Sequence, residues 1–210
     1  MRDSIIILGA FLLGVALALS GVLPGAVYDA DLESVSSYAL YALLFVVGVN
    51  VGLDSTLVQT VRRLPRRVLF VPLFAFVGTL IGSVAAFYVL RFCGLLLPEL
   101  TLHKILTMDS GMGYYSITTI MVGQVWGAEL ASIALLVNLL RELTTILCAP
   151  ILSRLFGRYA ATSLGGATSI DTSLPIIMRT DGNAMVPVAA YSGMLFTIAV
   201  PFLLSLLLSL

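Results

Sequence analysis

Arg141 and Glu142 stand side by side near the middle of an apolar stretch, 130–152, that also carries Asn138, Thr144 and Thr145. A charge at the bilayer centre costs about 2.5–3.5 kcal/mol on insertion scales, and intramembrane carboxylates commonly mark substrate or ion pathways. The plainer reading is a buried ion pair that holds a bundle together. Neighbouring residues project about 100° apart on a helix, so Arg141 and Glu142 need not pair with each other. Asn138 lies three and four positions before them, on a shared face, and is expected to brace both. An ionised carboxylate attracts a cationic amine, and a desolvated one exchanges its proton with water nearer neutral pH. One carboxylate doing both in turn is the simplest physical basis for exchanging a cation against protons.

Asp171 sits among hydroxyls in Gly165-Gly166-Ala167-Thr168-Ser169-Ile170-Asp171-Thr172-Ser173-Leu174-Pro175. If a helix starts at 174, with Pro175 in its first turn, Asp171 is either its cap or a substrate contact. Thr168 and Ser169 share that choice of roles. Asp109 has the same ambiguity; it precedes Ser110-Gly111-Met112-Gly113, where exposed backbone at Gly111 and Gly113 could meet a substrate amine or carboxylate. Asp54 closes another apolar stretch and reads as interfacial or as one more acidic site. No GxSxG elbow, P-loop or HExxH is present, and Gly111-Met112-Gly113 does not continue into a dinucleotide fingerprint. An intramembrane aspartyl hydrolase would need Asp109 and Asp171 to face each other, and no spacing supports that. Cys93 and Cys148 lack the partners of a metal or redox site and read as buried bulk. His103 alone cannot hold zinc and reads as interfacial. No cofactor is expected.

The elements that must position these groups are membrane helices. The chain has 210 residues, 60% hydrophobic and 10% charged, with mean hydropathy +1.09, far from the composition of a soluble domain. Aqueous disorder and a soluble enzyme are both excluded. With 11 basic and 11 acidic residues there is no basic field for nucleic acid; the bilayer is the expected solvent. The expected class is all-α, a polytopic bundle of five or six spans. Spans are read at 5–23, 35–53 and 68–90, a three-helix unit within 1–92. A core with broken helices and a polar midplane follows in 102–210, the whole forming one transmembrane domain. Gly48 with Gly52, and Gly78 with Gly82, are small-xxx-small pairs, read as helix-packing contacts.

The segments 107–116 and 164–175 are too polar and glycine-rich for lipid-facing helix. Such backbone is tolerated at membrane depth only where protein or a water-filled cavity shields it, so both are read as broken or re-entrant segments lining one cavity. Arg62, Arg63, Arg66 and Arg67 mark a cytoplasmic loop, with the N-terminus inside and the acidic 28–33 linker outside. If Arg154 and Arg158 are also cytoplasmic, 102–122 enters and leaves on the outer side, 130–152 runs inward and 186–208 ends outside. The rival is a full crossing by 102–122.

The motifs Ser110-Gly111-Met112-Gly113-Tyr114-Tyr115-Ser116, Asn138-Leu139-Leu140-Arg141-Glu142-Leu143 and the 165–175 stretch resemble, in order and spacing, the LysO-type lysine exporter family over 40–208. The resemblance implies export of L-lysine and its toxic analogues across the cytoplasmic membrane by proton antiport, with Glu142 matching an essential intramembrane glutamate. The expected site then has Asp171 and the 165–173 backbone contacting substrate, opposite Asp109 and 110–116, with the substrate carboxylate met by Arg141 or by a half-helix N-terminus. Longer family members begin with another three-helix segment carrying a second essential acid. Phe45-Val46-Val47-Gly48-Val49-Asn50-Val51-Gly52-Leu53-Asp54 echoes that pattern, and two such units would be inverted repeats. The expectation is therefore half of an inverted-repeat transporter. A separate small three-helix membrane protein would supply the rest, or Asp54 would replace the missing acid in a homodimer. The alternatives are a non-transporting assembly or regulatory subunit, or an intramembrane hydrolase.

Overall fold

The computed structural model describes residues 64–210 and four isolated helical positions, 38, 42, 45 and 49. The spans read at 5–23 and 35–53, the 28–33 linker, Gly48, Gly52, Asp54, Arg62 and Arg63 lie outside the described residues. Tyr38 belongs to one compact unit, Met1–Ala39, and every other described residue to a second, Leu40–Leu210. The second unit contains seven α-helices and no strand among its described residues.

A 3-10 turn, Arg66–Phe70, leads into α1, Val71–Phe92, with Pro72 in its first turn, where a missing N–H costs nothing. Then come α2, Leu102–Asp109, and α3, Tyr115–Trp126. The long α4, Ala128–Phe156, carries Pro150 in its interior. It is followed by α5, Ala160–Gly165, a 3-10 segment Gly166–Ile170, and α6, Leu174–Asp181, with Pro175 in its first turn as the sequence predicts. A short turn precedes α7, Val186–Leu208. α1 and α7, each with its 3-10 lead, and α4 are the three described helices long and apolar enough to cross a membrane. Their outer faces keep large apolar side chains uncovered, Phe74 at 72% and Phe92 at 94% exposure, as a lipid-solvated surface requires.

Contacts between element ends fix the path of the chain. The His103 ring, at the start of α2, packs edge-on against Trp126, at the end of α3, with centroids 5.8 Å apart, and the Lys104 ammonium lies over the same indole. The α2–α3 pair is therefore a hairpin whose outer ends meet. At the opposite end the Ser153 hydroxyl, late in α4, donates to Asp181, the last residue of α6, at 2.9 Å. Since α5 begins just after α4 stops, α5–α6 is a second hairpin that enters from the far end. Burial follows the same axis. Val68 and Val71 meet Ala149, Ala161, Ile177 and Val188 at one end, and Met108, Val122 and Leu130 meet Leu208 and Trp126 at the other. Between them Met112 and Ala167, from the two hairpin tips, pack on Phe196 and Val200 of α7.

One expectation is corrected. Cys93 is exposed past the end of α1 and Cys148 only partly covered, so neither is buried bulk; a helix surface bathed in lipid leaves thiols uncovered. Among the described residues, no atom lies within 4 Å of where the Cβ atoms of Gly78 and Gly82 would be.

Candidate functional site

The two helix breaks meet. The Ala167 N–H donates to the Met112 carbonyl at 2.9 Å, so the tips join through backbone alone. The approach demands glycine: Gly166 has φ +58°, and a Cβ there would stand 2.2 Å from the Met112 oxygen. Met112 itself is fully buried with φ +50°, a conformation that side-chain-bearing residues adopt only when their surroundings enforce it.

The enforcement comes from the middle of α4. Asn138, 1% exposed, accepts the Gly113 N–H at 2.8 Å and donates to the carbonyls of Met108 at 3.0 Å and Ala134 at 2.9 Å. It closes the first break by supplying what a continuous helix would have supplied. Its expected role as a brace for Arg141 and Glu142 is thus replaced: the amide is spent on backbone. One turn on, Arg141 secures the second hairpin. Its Nε donates to the Leu164 carbonyl at 2.8 Å, Nη2 to the Ser163 carbonyl at 3.3 Å and Nη1 to the Thr79 hydroxyl at 3.1 Å.

Around this junction lie two cavities that share no lining residue. The first, about 290 Å³, is walled by the tips and α7, including Gly113, Tyr115, Thr168, Asp171, Thr172 and Thr197. The prediction that 107–116 and 164–175 line one cavity holds for 113–116 and 167–172. Asp171 is exposed at its wall and accepts only local bonds, from the backbone N–H and hydroxyl of Thr172. It does not cap α6, whose N-cap is Ser173 without a side-chain bond. Tyr115 lies near enough to Glu142 and Asp171 for both charges to act on it, and Asp171 also acts on Tyr114. Glu142, 8% exposed on α4, lines neither of these two cavities and lies within electrostatic reach of Tyr115.

Asp109 and Arg141 line the second cavity, about 550 Å³, with Gly78, Thr79, Gly82 and Ser83 of α1. This separates Asp109 from the wall opposite Asp171 expected for it. Asp109 ends α2 rather than starting a helix, so it is no N-cap either; it accepts the Ser83 hydroxyl. Ser169 is consumed by packing, its hydroxyl within hydrogen-bond reach of the carbonyls of Gly166 at 2.6 Å and Ala189 at 3.1 Å. Gly111 is a spacer, because a Cβ there would stand 2.2 Å from the Thr118 hydroxyl. Thr168 lines the first cavity, but its hydroxyl already bonds Gly165 O and Ser173. Thr79 and Ser83 escaped the sequence reading, although two hydroxyls four apart on an otherwise apolar helix share a face and were there to be noticed. Among the described residues no cluster of metal-ligating side chains occurs.

Comparison with known proteins places this geometry in a family. The chain is 34% identical over 206 residues to the lysine exporter LysO of Escherichia coli, a match covering 97% of this chain and 63% of the relative, so the chain spans a little under two thirds of that protein's length. A Haemophilus influenzae protein provisionally named a lysine exporter is 26% identical over 167 residues, 80% of each chain. No solved structure gives a significant match. The family is named for lysine export, and the long apolar helices of this chain are those of a membrane-embedded protein. With the family's match running over residues 8–208, the chain belongs to the lysine exporter LysO family.

Proposed function

We propose that this protein exports L-lysine across the cytoplasmic membrane in exchange for protons, with the 290 Å³ cavity at the hairpin tips as the substrate site. The observation that carries the reading is a small cavity between two broken helices with Asp171 on its wall and Glu142 beyond Tyr115. Its size sits at the lower edge of small-molecule pockets, about 300–1,000 Å³, which suits one amino acid. Two carboxylates near it suit the two ammonium groups of lysine. Glu142 is the carboxylate that alternates between substrate and proton. Arg141, engaged by two carbonyls and a hydroxyl, holds the second hairpin instead of binding substrate.

Arg66, Arg67, Arg154, Arg158 and Arg179 gather at the end where α4 and α6 finish, which supports a cytoplasmic assignment for that end. The α2–α3 hairpin then enters from outside and α5–α6 from the cytoplasm. Each follows one crossing helix, so α1 with α2–α3 and α4 with α5–α6 form two units of opposite sense within this chain. Inverted units around a midplane site are the architecture of alternating access.

The test is lysine efflux from preloaded proteoliposomes. Wild-type protein is expected to release lysine faster when the acceptor side is acidified. Glu142→Gln is expected to abolish that efflux while the protein remains folded. Normal efflux in the glutamine variant would remove Glu142 from the mechanism, and no lysine movement by the wild type would overturn the function.

A further inference from the structure

The second cavity has a use that the substrate site leaves unassigned. We propose that Asp109 is a second protonation site, apart from the substrate cavity, so that more than one proton crosses per lysine exported. The inference rests on the exporter reading above.

Ser83, buried on α1, is within hydrogen-bond reach of two acceptors: Asp109 Oδ2 and the Thr79 carbonyl, the latter at 2.8 Å. A serine hydroxyl has one hydrogen and can also accept, so it serves one acceptor at a time. When Asp109 is ionised, Ser83 donates to the carboxylate. When Asp109 is protonated, the carboxyl O–H donates to Ser83 Oγ, and Ser83 turns its own hydrogen to the Thr79 carbonyl. Each state leaves every hydrogen with an acceptor, and the change needs only a hydroxyl rotation. A carboxylate kept solely for structure is normally tied by fixed donors that would be stranded on protonation. The partner found here tolerates both states.

The surroundings favour a proton over a metal cation. Arg141 of α4 faces the same cavity and its field reaches Asp109; a fixed guanidinium repels a bound sodium ion but not a neutral carboxyl. On α2 itself, His103 and Lys104 lie in the first turn, at the other end of the helix. On α1, Tyr88 and Arg91 follow Ser83 by five and eight residues. Tyr191 is the titratable group of α7, and Tyr115 that of α3. Arg141 does not depend on Asp109 for its own bonds, since Leu164, Ser163 and Thr79 hold it, so Asp109 is free to lose its charge without releasing the second hairpin.

Separation gives the site its purpose. Lysine leaves the cytoplasm carrying a net positive charge against an inside-negative potential. One entering proton only cancels that charge. A second makes the exchange electrogenic, so that the potential assists export. Because the two cavities share no lining residue, Asp109 can be protonated while lysine occupies the other.

The experiment measures the proton-to-lysine ratio from reversal potentials in proteoliposomes, alongside lysine–lysine exchange at equal pH. In Asp109→Asn the ratio is expected to fall by one proton while exchange persists. An unchanged ratio would overturn the inference, as would loss of exchange in a folded variant, which would put Asp109 in the substrate site. A ratio that rises with sodium would assign the site to that ion. Ser83→Ala supplies a second reading: it is expected to keep the ratio but shift the pH midpoint of transport, and a superimposable pH profile would also sink the idea. A wild-type protein without lysine exchange would instead count against the exporter reading.

Discussion

Replacing Asn138 by alanine tests the claim that the first helix break is held open from α4. The amide makes three bonds, but only one of its partners depends on it. The Ala134 carbonyl also has its helical N–H and the Met108 carbonyl also accepts the Gly111 N–H at 3.2 Å, whereas the Gly113 N–H faces the gap where the helix stops. With Asn138 1% exposed, water does not take its place. An orphaned buried backbone group costs about 1–3 kcal/mol, more than the roughly 0.6 kcal/mol averaged by ordinary side-chain bonds between membrane helices. At about 2–4 °C per kcal/mol for a chain of this size, the melting temperature of purified protein falls by roughly 2–12 °C. Asn138→Asp sharpens the test: it keeps an acceptor for Gly113 but turns a second acceptor on the Met108 carbonyl, and is expected to be no better than alanine. Thermal unfolding in detergent, followed by tryptophan emission from Trp126 in the same hairpin, reads the effect. An alanine variant melting with the wild type would refute the reasoning, because the break would then be stable without its clasp.

Gly166→Ala is expected to prevent the tips from joining, since its Cβ would stand 2.2 Å from the Met112 oxygen at a φ of +58°. Gly78→Ala, with nothing within 4 Å among the described residues, is expected to be tolerated, and size-exclusion profiles of the two should differ accordingly. Arg141→Lys keeps the charge but loses the fork that reaches Leu164, Ser163 and Thr79 together. A point charge on a flexible stem cannot replace it, so a loss of about 1–3 kcal/mol is expected, seen as a lower melting temperature even where lysine still binds.

Much was legible in the residue order. Strong apolar runs at 68–90, 130–152 and 186–208 predict the crossing helices, because each helix satisfies its own backbone in lipid and needs no partner to be recognised. The breaks at 110–114 and 166–173 were legible for the complementary reason: glycine, hydroxyl and charge cannot face hydrocarbon. What each polar side chain does once inside was not legible. Asn138, Arg141 and Glu142 occupy one turn of one helix, yet the first clasps one hairpin, the second clasps the other, and the third lies within electrostatic reach of a tyrosine of the cavity wall. Asp109 and Asp171, alike in sequence context, end up on different cavities. Helical periodicity says which residues share a face; only the packing of α1, α7 and two opposed hairpins around α4 decides what that face meets. A hydrogen bond between Ala167 and Met112 joins residues 55 positions apart, and no local pattern encodes it.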